Sequence, residues 1–141
     1  MPTATITLTV TQFVQNGCCT ATPSVSPPDS AGGRVYQKPG DPTVYIKSKG
    51  KSALTVQFAV VCPPPPAPQD TYTVTSTSLT FAGMLSDANG TATFVNARVP
   101  AGSPNTVAVD DTFAAQPRWS YQIVVTNSAG QSGIIDPGIV N

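Results

Sequence analysis

The sequence predicts an all-β fold: a single antiparallel β-sandwich of seven to nine strands joined by long loops. Three observations carry this. Strand-favouring residues dominate, with 19 Thr and 16 Val against only four Leu. Several segments alternate apolar and polar residues with period two, and none sustains a helical period between caps. Turn-forming clusters recur every ten residues or so, the spacing of sandwiches and barrels, and 15 Pro and 11 Gly supply them.

The elements follow in order. Ala4, Ile6, Leu8 and Val10 share one phase and five threonines, Thr3 to Thr11, share the other, which is a half-buried strand. Phe13 falls in the threonine phase, so a bulge is expected near Thr11–Gln12. Residues 15–33 carry Asn-Gly, three Pro and Gly-Gly and read as a long loop, of the kind that carries function. Val44 and Ile46 open a strand. Lys47, Lys49 and Lys51 ride a turn at 47–52, and Leu54 to Cys62 alternate strongly, so the two strands are expected to form a hairpin. Residues 63–68, Pro-Pro-Pro-Pro-Ala-Pro, are expected as an extended polyproline crossover between two sheets. Short strands follow around Tyr72, Leu79, Phe94 and Val107, with Asn89-Gly90 as a hairpin signal. Trp119, Tyr121, Ile123 and Val125 share one face of the next strand and are assigned to the core. Asn127 to Gly130 is a turn, and Ile134-Ile135 a short last strand.

At 141 residues the chain is the size of one domain, 1–141, with no internal repeat. No apolar run is long enough to span a membrane as a helix. The start has neither a basic nor an apolar leader region, which leaves two compartments open: the cytoplasm, or export with the leader removed.

The segment Ser120-Tyr121-Gln122-Ile123-Val124-Val125-Thr126-Asn127-Ser128-Ala129-Gly130 resembles the closing strand and turn of bacterial immunoglobulin-like and fibronectin-type-III-like domains. The resemblance covers about a tenth of the chain. It implies an immunoglobulin-like sandwich, such as bacterial surface antigens carry, and implies no site. The chain departs from the antibody pattern, because Trp119 lies after all three cysteines.

Composition removes most catalytic chemistry. The chain has no His and no Glu, and seven Asp are its only acidic side chains. A serine triad is therefore excluded, as is an imidazole-centred metal site. Asp110 and Asp111 are the only adjacent acids, and in a strand they point to opposite faces. Gly50-Lys51-Ser52 ends like a phosphate loop, but Tyr45 stands where that loop needs its first glycine. Asp87-Ala88-Asn89-Gly90 lacks the bidentate Glu of a calcium loop. No cofactor and no metal are expected.

Cys18, Cys19 and Cys62 allow one bridge and one free thiol, so a disulfide from Cys62 to Cys18 or Cys19 is a candidate. It stands against a buried, inert Cys62.

Charge is the most uneven property. Arg34, Lys38, Lys47, Lys49 and Lys51, less Asp41, give residues 34–51 a net +4, and the rest of the neutral chain carries −4. These five cations are the candidate anion-binding residues, set against a solvated turn whose lysines deter aggregation. Only Tyr36 and Tyr45 interleave with them, which disfavours nucleic acid. The expected function is a non-enzymatic interaction or surface module that binds a protein partner through its loops. One alternative is an anion-binding module for acidic glycan, nucleic acid or lipid, using 47–52. Another is a structural subunit that assembles by edge-strand pairing, through residues 3–11 or the last strand.

Overall fold

The computed structural model describes residues 3–26, 35–38, 40, 44–46, 53–83, 94–112, 119–136 and 138–140. Among them are twelve strands and no helix. In chain order these are β1 (Thr3–Gln12), β2 (Cys18–Ser26), β3 (Val35–Gln37), β4 (Val44–Ile46), β5 (Leu54–Val61), β6 (Tyr72–Thr73), β7 (Leu79–Gly83), β8 (Phe94–Arg98), β9 (Thr106–Asp111), β10 (Trp119–Asn127), β11 (Ser132–Ile135) and β12 (Gly138–Val140). The expectation of seven to nine strands falls short because β2 lies within the stretch that reads as a loop and because β3 and β12 have only three residues each. That is too short to display a period. No helix among the described residues is long and apolar enough to cross a membrane.

The strands form one curled, mixed sheet whose main path runs β3-β4-β12-β10-β11-β2-β1-β5-β9-β8, with β6 and β7 also paired to β10. One layer contains β2, β1, β5, β9 and β8. The other is built around β10. They join at β2, whose Cys18 and Cys19 pair with Ile134 and Ile135 of β11 while the rest of the strand pairs with β1.

The expected purely antiparallel order is corrected by three parallel pairings: β1 with β5, β11 with β2, and β12 with β4. Alternation reports which face a residue takes, not the direction of its neighbour, so the pattern was blind to this. Strand β1 is also an interior strand, flanked by β2 and β5, and β11 and β12 are interior too. Residues 3–11 and the last strand therefore offer no edge for assembly. The expected hairpin of β4 with β5 does not form: β4 pairs with β3 and β12, and β5 with β1 and β9. Two alternating runs around a basic turn look like a hairpin whether or not the chain crosses between layers there.

The core is the meeting of period-two faces. Ala4, Ile6, Leu8 and Val10 of β1 face inward with Leu54, Val56, Phe58 and Val60 of β5, against Tyr121, Ile123 and Val125 of β10. Aromatic rings bridge the layers. Phe58 lies 4.7 Å from Tyr121, and Phe81 stacks face to face on Phe94 at 3.8 Å. Such contacts add to the area they bury. The Tyr121 hydroxyl is buried with no hydrogen-bond partner. The side chain of Trp119, assigned to the core, lies outside the described residues. The bulge is where Phe13 implied it: pairing with β2 shifts register between Val10 and Gln12.

The long loop read at 15–33 is corrected most. Residues Cys18–Ser26 are strand β2, paired antiparallel with β1. Its inward phase is Cys19, Ala21, Pro23 and Val25, with Thr20, Thr22 and Ser24 outward and exposed. Pro23 is tolerated because its backbone faces away from β1, where no ladder N–H is needed. There the Gln37 side chain accepts from Val25 N (3.1 Å) and donates to Pro23 O (2.9 Å). Residues 27–34 lie outside the described residues.

Residues 63–68 do connect the layers, from β5 to β6, as expected of a crossover. They do not run extended, however. Pro65–Pro66 is cis, and Ala67 N donates to Pro64 O at 3.3 Å, closing a turn. Gln69 holds that turn from outside, its Nε2 donating to Pro63 O (2.8 Å) and Ala67 O (2.9 Å).

Candidate functional site

Of the candidate anion-binding residues, Lys38 is described; Arg34, Lys47, Lys49 and Lys51 lie outside the described residues. Lys38 is exposed, and its Nζ sits 4.6 Å above the Tyr45 ring, which stacks on Tyr36 at 5.3 Å. Tyr36 and Tyr45 thus pack together, and a cation already lies over one of them.

The three cysteines are free thiols in this structure, which does not contain the candidate bridge from Cys62 to Cys18 or Cys19. Strand alternation separates the first two. Cys18 is exposed, whereas Cys19 is buried against the 13–17 turn, its Sγ accepting from Val14 N at 3.4 Å. Cys62 Sγ instead donates to Gln69 Oε1 at 3.3 Å. No three His, Cys, Asp or Glu side chains among the described residues are grouped to hold a metal ion.

Asp110 and Asp111 take opposite faces, as expected. Asp111 lies beside Leu54 and Phe94 in the inward phase and is fully buried. Asp110 faces outward and receives Thr55 Oγ1 (2.9 Å), Asn96 Nδ2 (3.1 Å) and Arg98 Nη2 (3.1 Å). Burial opposes its ionisation. The hydrogen bonds from Asn96, Thr55 and Arg98, with the Arg98 charge, outweigh burial and hold the carboxyl below the usual aspartate range. The donors come from three strands, so this cluster braces β5, β8 and β9.

The arrangement with open chemistry lies at the end of the curled sheet where β5 ends and the chain passes to β6. Two hollows meet there. One, of about 310 Å³, is lined by Val60, Val61, Cys62, Pro104 and Asn105 together with Asp70, Thr71 and Tyr72. The other, of about 300 Å³, lies among Val10, Phe13, Pro63, Pro68 and Gln69, and again Asp70 and Tyr72. Each is at the small end of ligand-pocket volumes.

The walls are fixed by local bonding. Asn105 Nδ2 donates to Val60 O (3.1 Å), Val60 N donates to Asn105 O (3.0 Å), and Val74 N donates to Pro104 O (2.9 Å). Tyr72 is buried, and its ring stacks on Phe13 at 6.1 Å. Burial pushes its phenol up, and the neighbouring Asp70 charge adds to this.

Among the described residues Asp70 is the only charged side chain lining either hollow. Its Oδ1 accepts from Thr71 N (2.8 Å), Ser128 N (3.2 Å) and Ser128 Oγ (2.6 Å). The Ser128 hydroxyl bond outweighs the small burial cost, and the carboxyl sits below its ordinary value. Ser128 is itself placed by the turn after β10, where Asn127 Oδ1 accepts from Ala129 N and Gln131 N and Gly130 takes φ +79°. Among the described residues no donor reaches Oδ2. The carboxylate is held by one oxygen and presents the other.

Sequence reasoning passed over Asp70, Tyr72, Gln69 and Asn105. One signal was available: Asp70 is the only charged residue between Lys51 and Asp87. An isolated charge in a long neutral stretch, directly after a proline run, marks a carboxylate near apolar surface. That Phe13 and Pro104 would join it depended on topology.

Searched against protein-family models, the chain matches none, and no curated protein matches it in sequence.

Proposed function

We propose that the chain is a non-enzymatic binding module whose ligand seat is the end of the sandwich around Asp70 and Tyr72. The observation that supports this is the pair of hollows sharing those two residues. Their walls are mostly apolar with a few polar side chains, bonds to Val60 and Val74 pin the backbone of one, and one carboxylate oxygen is left open. A rigid β scaffold that carries such a seat on its connecting segments is a common arrangement for recognition. We also read the curled sheet as a relative of immunoglobulin-like sandwiches. The closing strand from Tyr121 and its turn to Gly130 support that kinship, and the three parallel pairings depart from it.

The test is a fragment and short-peptide screen followed by amide chemical shifts on labelled protein. The set holds neutral, anionic and cationic members in equal number. The reading expects perturbed amides to converge on Cys62, Thr71, Tyr72, Asn105 and Ser128. A screen in which nothing binds, or in which every binder maps elsewhere, would sink it.

A further inference from the structure

Resting on the binding-module reading, we propose that the seat at Asp70 recognises a basic side chain, lysine or arginine, in an extended peptide segment with apolar residues on either side. Charge comes first. Within the two hollows Asp70 is the only ionic side chain, so nothing from the described residues neutralises it. Its Oδ1 accepts from three donors, while among the described residues Oδ2 has none. A carboxylate so placed does not need to reorganise before it accepts an ammonium or guanidinium.

Shape comes second. The carboxylate belongs to the lining of both hollows. A ligand that puts its cation there has an apolar recess to each side: Val60, Val61 and Pro104 on one, Val10, Phe13 and Pro68 on the other. An extended segment of the form apolar–basic–apolar has the matching layout. Proline and aromatic walls favour such a guest, because they lose little conformational freedom on contact. An acidic ligand is repelled by the same carboxylate, and among the described residues the seat offers no cationic side chain to hold it.

The probes are acetyl-Val-Lys-Val-amide, the same peptide with norleucine in place of lysine, and n-butylammonium. Each is titrated into labelled protein at low salt. The lysine peptide is expected to shift the amides of Thr71, Tyr72 and Ser128. The norleucine peptide should bind at least about fivefold more weakly, the scale of one partly exposed ion pair. Asp70→Asn keeps the Oδ1 acceptor for Ser128 and Thr71 and removes the charge. It should weaken the lysine peptide by a similar factor and leave the norleucine peptide unchanged. n-Butylammonium should bind more weakly than the lysine peptide; equal binding would make the site one for small amines and overturn the peptide assignment. Equal affinity of the lysine and norleucine peptides, or of the Asp70→Asn variant and the parent, overturns the proposal. If neutral or anionic compounds from the screen occupy these hollows while the lysine peptide does not, the proposal fails and the binding-module reading stands. If nothing at all occupies them, both fail.

Discussion

The Gln37 side chain stands beside Pro23 as though it were a neighbouring strand. Its amide donates to Pro23 O at 2.9 Å and accepts from Val25 N at 3.1 Å. That is the two-bond pattern a parallel backbone neighbour makes. Gln37→Ala would leave both backbone groups on an uncovered edge. We expect a loss of about 1–2 kcal/mol in urea unfolding and greater self-association at high concentration. An unchanged urea midpoint would mean that water replaces the amide without cost.

Gly133 of β11 lies where a side chain has no room. A Cβ there would come within 2.5 Å of Cys19 Sγ and 2.8 Å of Val14 O. Gly133→Ala is expected to destabilise by about 1–3 kcal/mol, the cost of overpacking. Removing Cys19 bulk in the double variant Cys19→Ala/Gly133→Ala should recover only part of this, because the Val14 carbonyl remains. Full recovery would show that the thiol alone sets the limit.

These features mark how far the sequence could be read. The inward phases of β1, β5 and β10 were plain because long β-branched runs alternate with threonine or glutamine. Strand β2 alternates as well, but its inward residues are Cys19, Ala21 and Pro23, and a proline read as a breaker concealed the period. Its acceptability depends on which way the backbone faces, and so on Gln37, twelve or more residues away. The parallel partners of β1, β2 and β4 were not legible, since face and direction are separate properties. Asp70 was visible as an isolated charge; the hollows around it arise only when β1, β5 and β6 are brought together.

Asp110 should govern part of the acid stability. Its folded carboxyl titrates below the ordinary aspartate value of about 3.9. Its contribution is therefore complete above about pH 5 and is lost as pH falls through the folded value. Asp110→Asn is expected to cost about 2 kcal/mol at neutral pH and to flatten the fall in stability on acidification. A parallel pH profile for parent and variant would contradict this.

Tyr121 predicts the opposite limb. Burial, with the Asp136 charge adding, pushes its phenol above the usual range. The neutral ring is favoured in the fold, so its stabilisation holds below tyrosine's ordinary value of about 10 and is lost as pH rises beyond it. Tyr121→Phe removes a buried hydroxyl that has no partner. It should raise stability by about 1 kcal/mol at neutral pH, and by more in alkali. A destabilised variant would reveal a partner for that hydroxyl.

Thiol accessibility gives an independent check on the strand β2 register. Native alkylation should label Cys18 first, Cys62 more slowly, and Cys19 only on unfolding, in line with their exposure. Rapid labelling of Cys19 would mean the register is shifted by one residue, since that shift exchanges the two faces.

Strand β1 lies between an antiparallel neighbour and a parallel one, with residues paired along both of its edges. Tension drawn along it cannot unzip one ladder bond at a time from an open side. It must shear two ladders together, with the inward row from Ala4 to Val10 dragged across the core as they slide. The arrangement makes β1 resist tension by both ladders at once, and because Val10 and Thr11 of the same strand wall the hollow beside Asp70, a load that slides β1 also deforms that seat.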